Sequence, residues 1–227
     1  MCGIFGSHNY DIYEKLYIAN KIRGDYATGS VYYDKETGTH IKKSEAGESL
    51  TGERAFLHNN SYVPNNWYIG HRQAPTSAVR DYSEDTTHPF TTGDWTVAHN
   101  GVLENSEQLK YQYGITSDNP VDSSVIPELL AQFKSSHSLY AIGETCSKLK
   151  GTFGCWLYNH KTEDVYIVRS GSTIYANLST RLSTAAFSSV KTKHTPDLVD
   201  EGVIYLMTKT GLKNIGKFTA NSPFLLL

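Results

Sequence analysis

The sequence predicts an α+β domain in which helices are layered against antiparallel sheets. Two observations predict it. Strand-like runs, then helical stretches, then strand-like runs again follow one another along the 227 residues, an order that segregates sheets from helices. The 16 Tyr, 8 Phe and 3 Trp, with clustered Val, Ile and Thr, supply the buriable, β-favouring side chains that pleated sheets need.

The elements follow in order. CGIFGS reads as a short apolar strand ending at a glycine turn. In DIYEKLYIANKI, Ile12, Leu16, Ile18, Ala19 and Ile22 recur on a helical period, with Asp11 as the expected N-cap. SVYYDKETGTHIKKSE reads as a hairpin turning at KETG. WYIGHR and DWTVAHN are strands that end on polar residues. NSEQLKYQY starts with Asn105 as its cap and Gln108 three residues on, a loose capping box. DSSVIPELLAQF and SLYAIGETCSKLK follow as helices, with Pro127 in a first turn, where its missing N–H is harmless. GTFGCWLYN, the turn HKTED, VYIVRSG, STIYAN, RLSTAAFSS and GVIYLMT then return to strands. No repeat, low-complexity tract or proline-rich linker interrupts them, so residues 1–227 read as a single domain.

Charge and composition exclude several classes. A net charge of −2 with scattered Lys and Arg lacks the basic stripe of a nucleic-acid binder. No apolar run approaches the ~18 residues of a membrane span. The opening residues carry Asp11 and Glu14 and lack a secretory pattern, so a cytoplasmic protein is expected. Three cysteines without a CxxC, namely Cys2, Cys146 and Cys155, fit neither a disulfide framework nor a zinc site. Cys146 and Cys155 read as small buried hydrophobes. The nine histidines show no HExxH or close pairing, so no metal and no cofactor is expected.

Cys2 differs by position. Removal of Met1 would leave one residue with a thiol and a free α-amine. An amine of pKa about 7.7–8.0 can take the proton of a thiol near 8.5, giving a self-activated nucleophile. The alternative is an ordinary cysteine on the first strand. In AHNG, the Asn100 amide and the Gly101 N–H could serve as oxyanion donors, or form a simple Asn-Gly turn. GHRQAPT and VDSS suit a zwitterion: an Arg pairs bidentately with a carboxylate, and Asp122 can receive an ammonium. Equally, the Arg could lie on the surface and Asp122 could cap a helix. Arg23–Asp25 spell RGD, but an adhesion role has no secretion signal behind it.

Together these segments resemble the class II glutamine amidotransferase domain, an N-terminal-nucleophile hydrolase. MCGIFG resembles the family's start, and RGDYATG its RGxDSxG-like segment. GHRQAPTSA is similar to its GHxRxAT stretch, THPF to its His-Pro, VAHNGVLEN to HNGxIxN, and VDSSVI to its D-T/S-E segment. GTFGCWLYN, VRSGS, LSTAAFSSV and EGVIYLMT resemble its later strands in order. The resemblance implies a four-layer αββα sandwich of two antiparallel sheets. It also implies hydrolysis of glutamine to glutamate and ammonia through a thioester. Cys2 would be nucleophile and its amine the base, with Asn100 and Gly101 forming the oxyanion hole. Asp122 would hold the substrate α-amine and Thr76 would line the pocket. Arg23 would support the N-terminal strand, with His71 and His99 structural beside it.

Two departures qualify that picture. The family's carboxylate-binding arginine falls on Gln73, with Arg72 one place earlier, and a shift of one residue along a strand reverses the face. Either a bulge brings Arg72 round, or the carboxylate is held otherwise. VDSS also has Ser124 where the family has an acidic residue. Two further readings therefore stand beside glutamine hydrolysis: another γ-glutamyl or linear amide as substrate, or an inactive glutamine-binding regulatory domain that keeps Met1. No ammonia-accepting domain is recognised in 1–227, so a separate acceptor enzyme is expected, docking through PFLLL.

Overall fold

Strand alternation sets the architecture. In β1 (Gly3–Ser7), Ile4 and Phe5 are both fully buried, yet in different clusters. Ile4 packs with Val31, Ile69, Ala98, Trp156 and Phe187. Phe5 packs with Tyr13, Leu16, Tyr17 and Tyr68. Successive side chains point to opposite faces, so this strand is covered on both sides. The computed structural model describes residues 2–34, 36–44, 67–74, 83–133, 137–178 and 184–221. Met1, Thr76 and the PFLLL segment, named above, lie outside them.

The first sheet holds β1, β2 (Ala27–Asp34), β3 (Gly38–Ser44) and β4 (Tyr68–Gln73), with short strands from late in the chain. The second sheet holds β5 (Phe90–Thr92), β6 (Trp95–Leu103), β7 (Gly151–Asn159) and β8 (Asp164–Ser170). The late strands are β9 (Tyr175–Ala176), β10 (Ala186–Ser188) and β11 (Asp197–Leu198) in the first sheet, and β12 (Val203–Met207) and β13 (Leu212–Lys217) in the second. The orders are β11-β9-β10-β1-β4-β2-β3 and β13-β12-β8-β7-β6-β5. All strand pairings are antiparallel. Helix α1 (Tyr10–Ala19) lies on the outer face of the first sheet. Helices α2 (Ser106–Tyr113), α3 (Val125–Gln132) and α4 (Ser138–Lys148) contribute Leu109, Leu129, Ile142 and Cys146 to the cluster against the second. The fold is an α+β sandwich, layered helix, sheet, sheet, helix.

Several element boundaries differ from the sequence expectation. Asn9, not Asp11, caps α1: its extended backbone lets its Oδ1 accept the Ile12 N–H at 3.0 Å. The α-helix stops at Ala19 and a 3₁₀ turn, Asn20–Arg23, carries Ile22 into solvent. Asn105 occupies the N-cap position of α2 without capping it. Its side chain instead donates to Lys148 O and accepts from Lys150 N–H, both at 2.9 Å, joining α2 to the entry of β7. Cys146 and Cys155 are buried, and burial pushes both thiols up from their ordinary range.

Candidate active site

β1 lies between β10 and β4. Its register with β4 runs from Ser7↔Tyr68 to Gly3↔Arg72 without interruption. Cys2, one residue beyond, therefore lies opposite Gln73, and residues opposite each other share a face. That face is the one Ile4 and Ile69 present to the second sheet. Cys2 is buried there, 8% exposed.

Asn100 on β6 meets Cys2 from the facing sheet. In the orientation that satisfies its neighbours, its amide nitrogen donates to the Cys2 carbonyl at 2.8 Å, an assignment made from the hydrogen-bond pattern. Its oxygen then accepts from Ser189 Oγ at 3.3 Å and from Arg23 Nη2 at 3.1 Å. Arg23 Nε donates to the same Cys2 carbonyl at 3.2 Å. Burial pulls the Arg23 pKa down, with Cys2 and Tyr175 opposing. Ser189 completes the clasp: its Oγ accepts the Ile4 N–H at 3.0 Å, and its own N–H donates to Ile4 O at 2.8 Å. The start of β1 is thus fixed by Arg23, Asn100 and Ser189 together.

Gly101 has φ +152°, and a Cβ there would lie 2.0 Å from Thr152 O. Only glycine fits this close approach. β5 covers β6 only over Trp95–Val97. Further along that edge the Leu103 N–H donates to Asp122 Oδ2 at 2.8 Å. The Gly101 N–H, two residues back, lies on the same open edge. Asp122 heads a single 3₁₀ turn, Asp122–Ser124, and serves β6 instead of a helix cap.

His99 faces away from Asn100, toward that turn. Its Nδ1 is 2.7 Å from Ser123 Oγ and its Nε2 is 3.3 Å from Thr152 O. Burial lowers its pKa, with Asp122 and the Thr152 hydrogen bond opposing. His71, facing inward from β4, stacks on His88 with ring centroids 4.0 Å apart. Gly29, opposite His71 in β2, makes the room, since a Cβ there would meet His88 O at 2.0 Å.

The arginine expected to hold a substrate carboxylate goes elsewhere. No bulge interrupts β4 in its registers with β1 and β2. Arg72 therefore points to the helix side, where its guanidinium lies 4.4 Å over Tyr17, Nε donates to Gly24 O at 2.9 Å, and Nη2 pairs with Asp25. It is not brought to the face of Cys2. Gln73 is, and is 1% exposed; its Oε1 accepts from the His88 ring at 3.3 Å. Its Nε2 has no hydrogen-bond partner among the described residues.

Sequence reasoning missed Ser189, Ser123 and the Gln73–His88 contact. LSTAAFSSV and VDSS contain both serines, but only the sheet order brings Ser189 to Ile4 and Asn100. Among the described residues no group of three His, Cys, Asp or Glu side chains could hold a metal ion. No helix there is long and apolar enough to cross a membrane.

Known proteins resemble this chain in sequence and in fold. No family model matches the chain. It is 27% identical over 203 residues to a 7-cyano-7-deazaguanine synthase of Sulfolobus acidocaldarius, covering 84% of this chain and 43% of that one. It is 27% identical over 183 residues to a glutamine–fructose-6-phosphate aminotransferase (isomerizing) of Staphylococcus epidermidis, covering 77% and 30%. The chain thus spans less than half the length of either relative. Its fold matches a glutamine phosphoribosylpyrophosphate amidotransferase from B. subtilis, with a TM-score of 0.73 and 18% identity over 96% of this chain and 49% of that one. The homologues are class II glutamine amidotransferase domains, enzymes of the N-terminal-nucleophile hydrolase superfamily.

Proposed function

We propose that this chain hydrolyses the side-chain amide of glutamine, with residue 2 as nucleophile once Met1 is removed. The α-amine takes the Cys2 proton, and the sulfur adds to the amide carbon. The oxyanion is met by the Gly101 N–H and by the second proton of the Asn100 amide, whose first is held by the Cys2 carbonyl. The amine returns its proton to the leaving nitrogen, the C–N bond breaks, and ammonia departs from a γ-glutamyl thioester. Water then cleaves the S–C bond, releasing glutamate and restoring the thiol. Asp122 holds the substrate ammonium.

The observation that carries this reading is the 2.8 Å contact of Asn100 with Cys2 across the two sheets. Its homologues support glutamine hydrolysis with transfer of ammonia in general. The acceptor is a separate enzyme, and the setting is cytoplasmic, in keeping with three cysteines that form no disulfide among the described residues. Purified protein with residue 2 exposed should release glutamate from glutamine, and Cys2→Ala should lower that rate by at least about a thousandfold. Equal rates in the two proteins would end the proposal.

A second reading concerns the substrate's other end. Gln73 offers a buried neutral amide where the resemblance puts an arginine, and Arg72 faces the helix. A substrate with a carbonyl in place of the α-carboxylate, such as an amide-capped glutamine, suits that donor. Faster turnover of glutamine than of its α-carboxamide would count against it.

A further inference from the structure

The contacts around His99 contain more hydrogen-bond positions than protons. Ser123 Oγ lies 2.7 Å from His99 Nδ1 and 3.1 Å from Asp122 Oδ1, and His99 Nε2 lies 3.3 Å from Thr152 O. A carbonyl only accepts, so the Nε2 contact requires a proton on Nε2. With the ring neutral, Nδ1 is then an acceptor and takes the single Ser123 proton. The Ser123–Asp122 contact is left with no hydrogen between two oxygens. With the ring protonated, Nδ1 donates to Ser123 and the hydroxyl is released to donate to Asp122. With Asp122 as a carboxylate, all three contacts are filled only in the second state.

Both switching groups are buried, His99 and Ser123 each 2% exposed. The groups facing His99 among the described residues are few. The turn supplies Asp122 and Ser123, β7 supplies Thr152 O and, opposite in register, the Cys155 thiol, and His88 stands 6.5 Å away ahead of β5. From α4 comes Cys146, which acts on Cys155. Asp122 is the one carboxylate among them.

We propose that Ser123 is a proton-linked gate on the ammonium subsite, turning to His99 to leave Asp122 Oδ1 open and turning to Asp122 to occupy it. This rests on the proposal that Asp122 holds the substrate ammonium. A substrate with an α-amine then binds best when His99 is neutral, and its binding in turn disfavours the protonated ring by the same factor. Acid closes the subsite to amines and leaves other ligands unaffected. Ser123 is a positioning residue here and touches no reacting atom.

Calorimetry on the Cys2→Ala protein separates binding from turnover, with glutamine and with glutaryl monoamide, which lacks the amine. Between about pH 8 and about pH 5, glutamine affinity should fall about twofold or more, burial admitting only part of the His99 ring to protonation, and that of glutaryl monoamide should stay level. In the Cys2→Ala, Ser123→Ala double variant the two ligands should weaken alike, and Ser123→Thr should restore the difference. Imidazole NMR should find the His99 pKa lowered by glutamine and not by the analogue. Equal weakening of both ligands with Ser123 present, or an undiminished difference in Ser123→Ala, would overturn the gate. Absence of glutamine binding at about pH 8 would instead overturn the hydrolase reading beneath it.

Discussion

β6 and β4 both reach Cys2, and they are built in opposite ways. β6 delivers a side-chain amide and a backbone N–H through Asn100 and Gly101, and its irregularity is in the backbone, where Gly101 adopts φ +152° against Thr152. β4 is regular to its last residue, with unbroken registers on both sides. Regularity is what turns Arg72 away, because a strand reverses face at every residue. Chemistry carried by the main chain and a short side chain keeps its place when a short motif keeps its spacing. Chemistry carried by a long side chain on a regular strand is lost to the opposite face by an offset of one.

The largest expected effect breaks the β6 half. Asn100→Ala should lower kcat by about a hundred- to a thousandfold, the usual cost of one oxyanion donor, with a smaller change in KM. A loss of less than tenfold would separate the β6 end from the chemistry. At the β4 end the effects should be smaller and should divide by face. Gln73→Ala removes one neutral donor on the Cys2 side and should raise KM for glutamine about three- to tenfold. Arg72→Ala should leave KM within about twofold and cost about 1–3 kcal/mol of stability in a denaturant titration. It leaves the half-exposed Asp25 with Lys21 as its remaining cation and empties the space over Tyr17. A large rise in KM from Arg72→Ala at unchanged stability would mean that the guanidinium reaches the substrate after all.

Legibility in the sequence follows the same division. The strands were readable because Ile4, Ile69, Val97 and Phe153 sit in short apolar runs that need no knowledge of the partner strand. Cys146 and Cys155 were readable as buried because an odd set of cysteines without a CxxC fits neither a disulfide framework nor a zinc site. The cap of α1 was misread by two residues because Asn9 and Asp11 are both good caps, and only the backbone angles choose between them. Asp122 was left open between cap and ligand; it serves Leu103 N–H, a contact made by the 3₁₀ turn and invisible to helix patterns. Ser189 could not be read at all, since its tie to Ile4 spans 185 residues and exists because β10 happens to flank β1. Arg72 was the ambiguous position, and an unbroken register, which no single sequence declares, resolved its face.

The smallest effect tests which end of the site answers to acid. Burial lowers the His99 pKa in the folded protein, while the unfolded chain keeps a value near 6.5. As pH falls below about 6.5 the unfolded chain takes up a proton that the folded one takes up only at lower pH, so folding weakens with acid. One such group contributes a slope of at most about 1.4 kcal/mol per pH unit. His160 and His194 are shifted the same way by burial, so the wild-type melting temperature should drop between about pH 8 and about pH 5.5 by more than His99 alone provides. His99→Asn should flatten that drop without abolishing it, whatever it does to the melting temperature at neutral pH. Arg72→Ala, at the other strand end, should lower the melting temperature by the same amount at both values. A slope unchanged by His99→Asn, read by calorimetric melting, would mean that the imidazole protonates as readily in the fold as in the unfolded chain, and β6 would lose its distinction as the acid-sensitive strand.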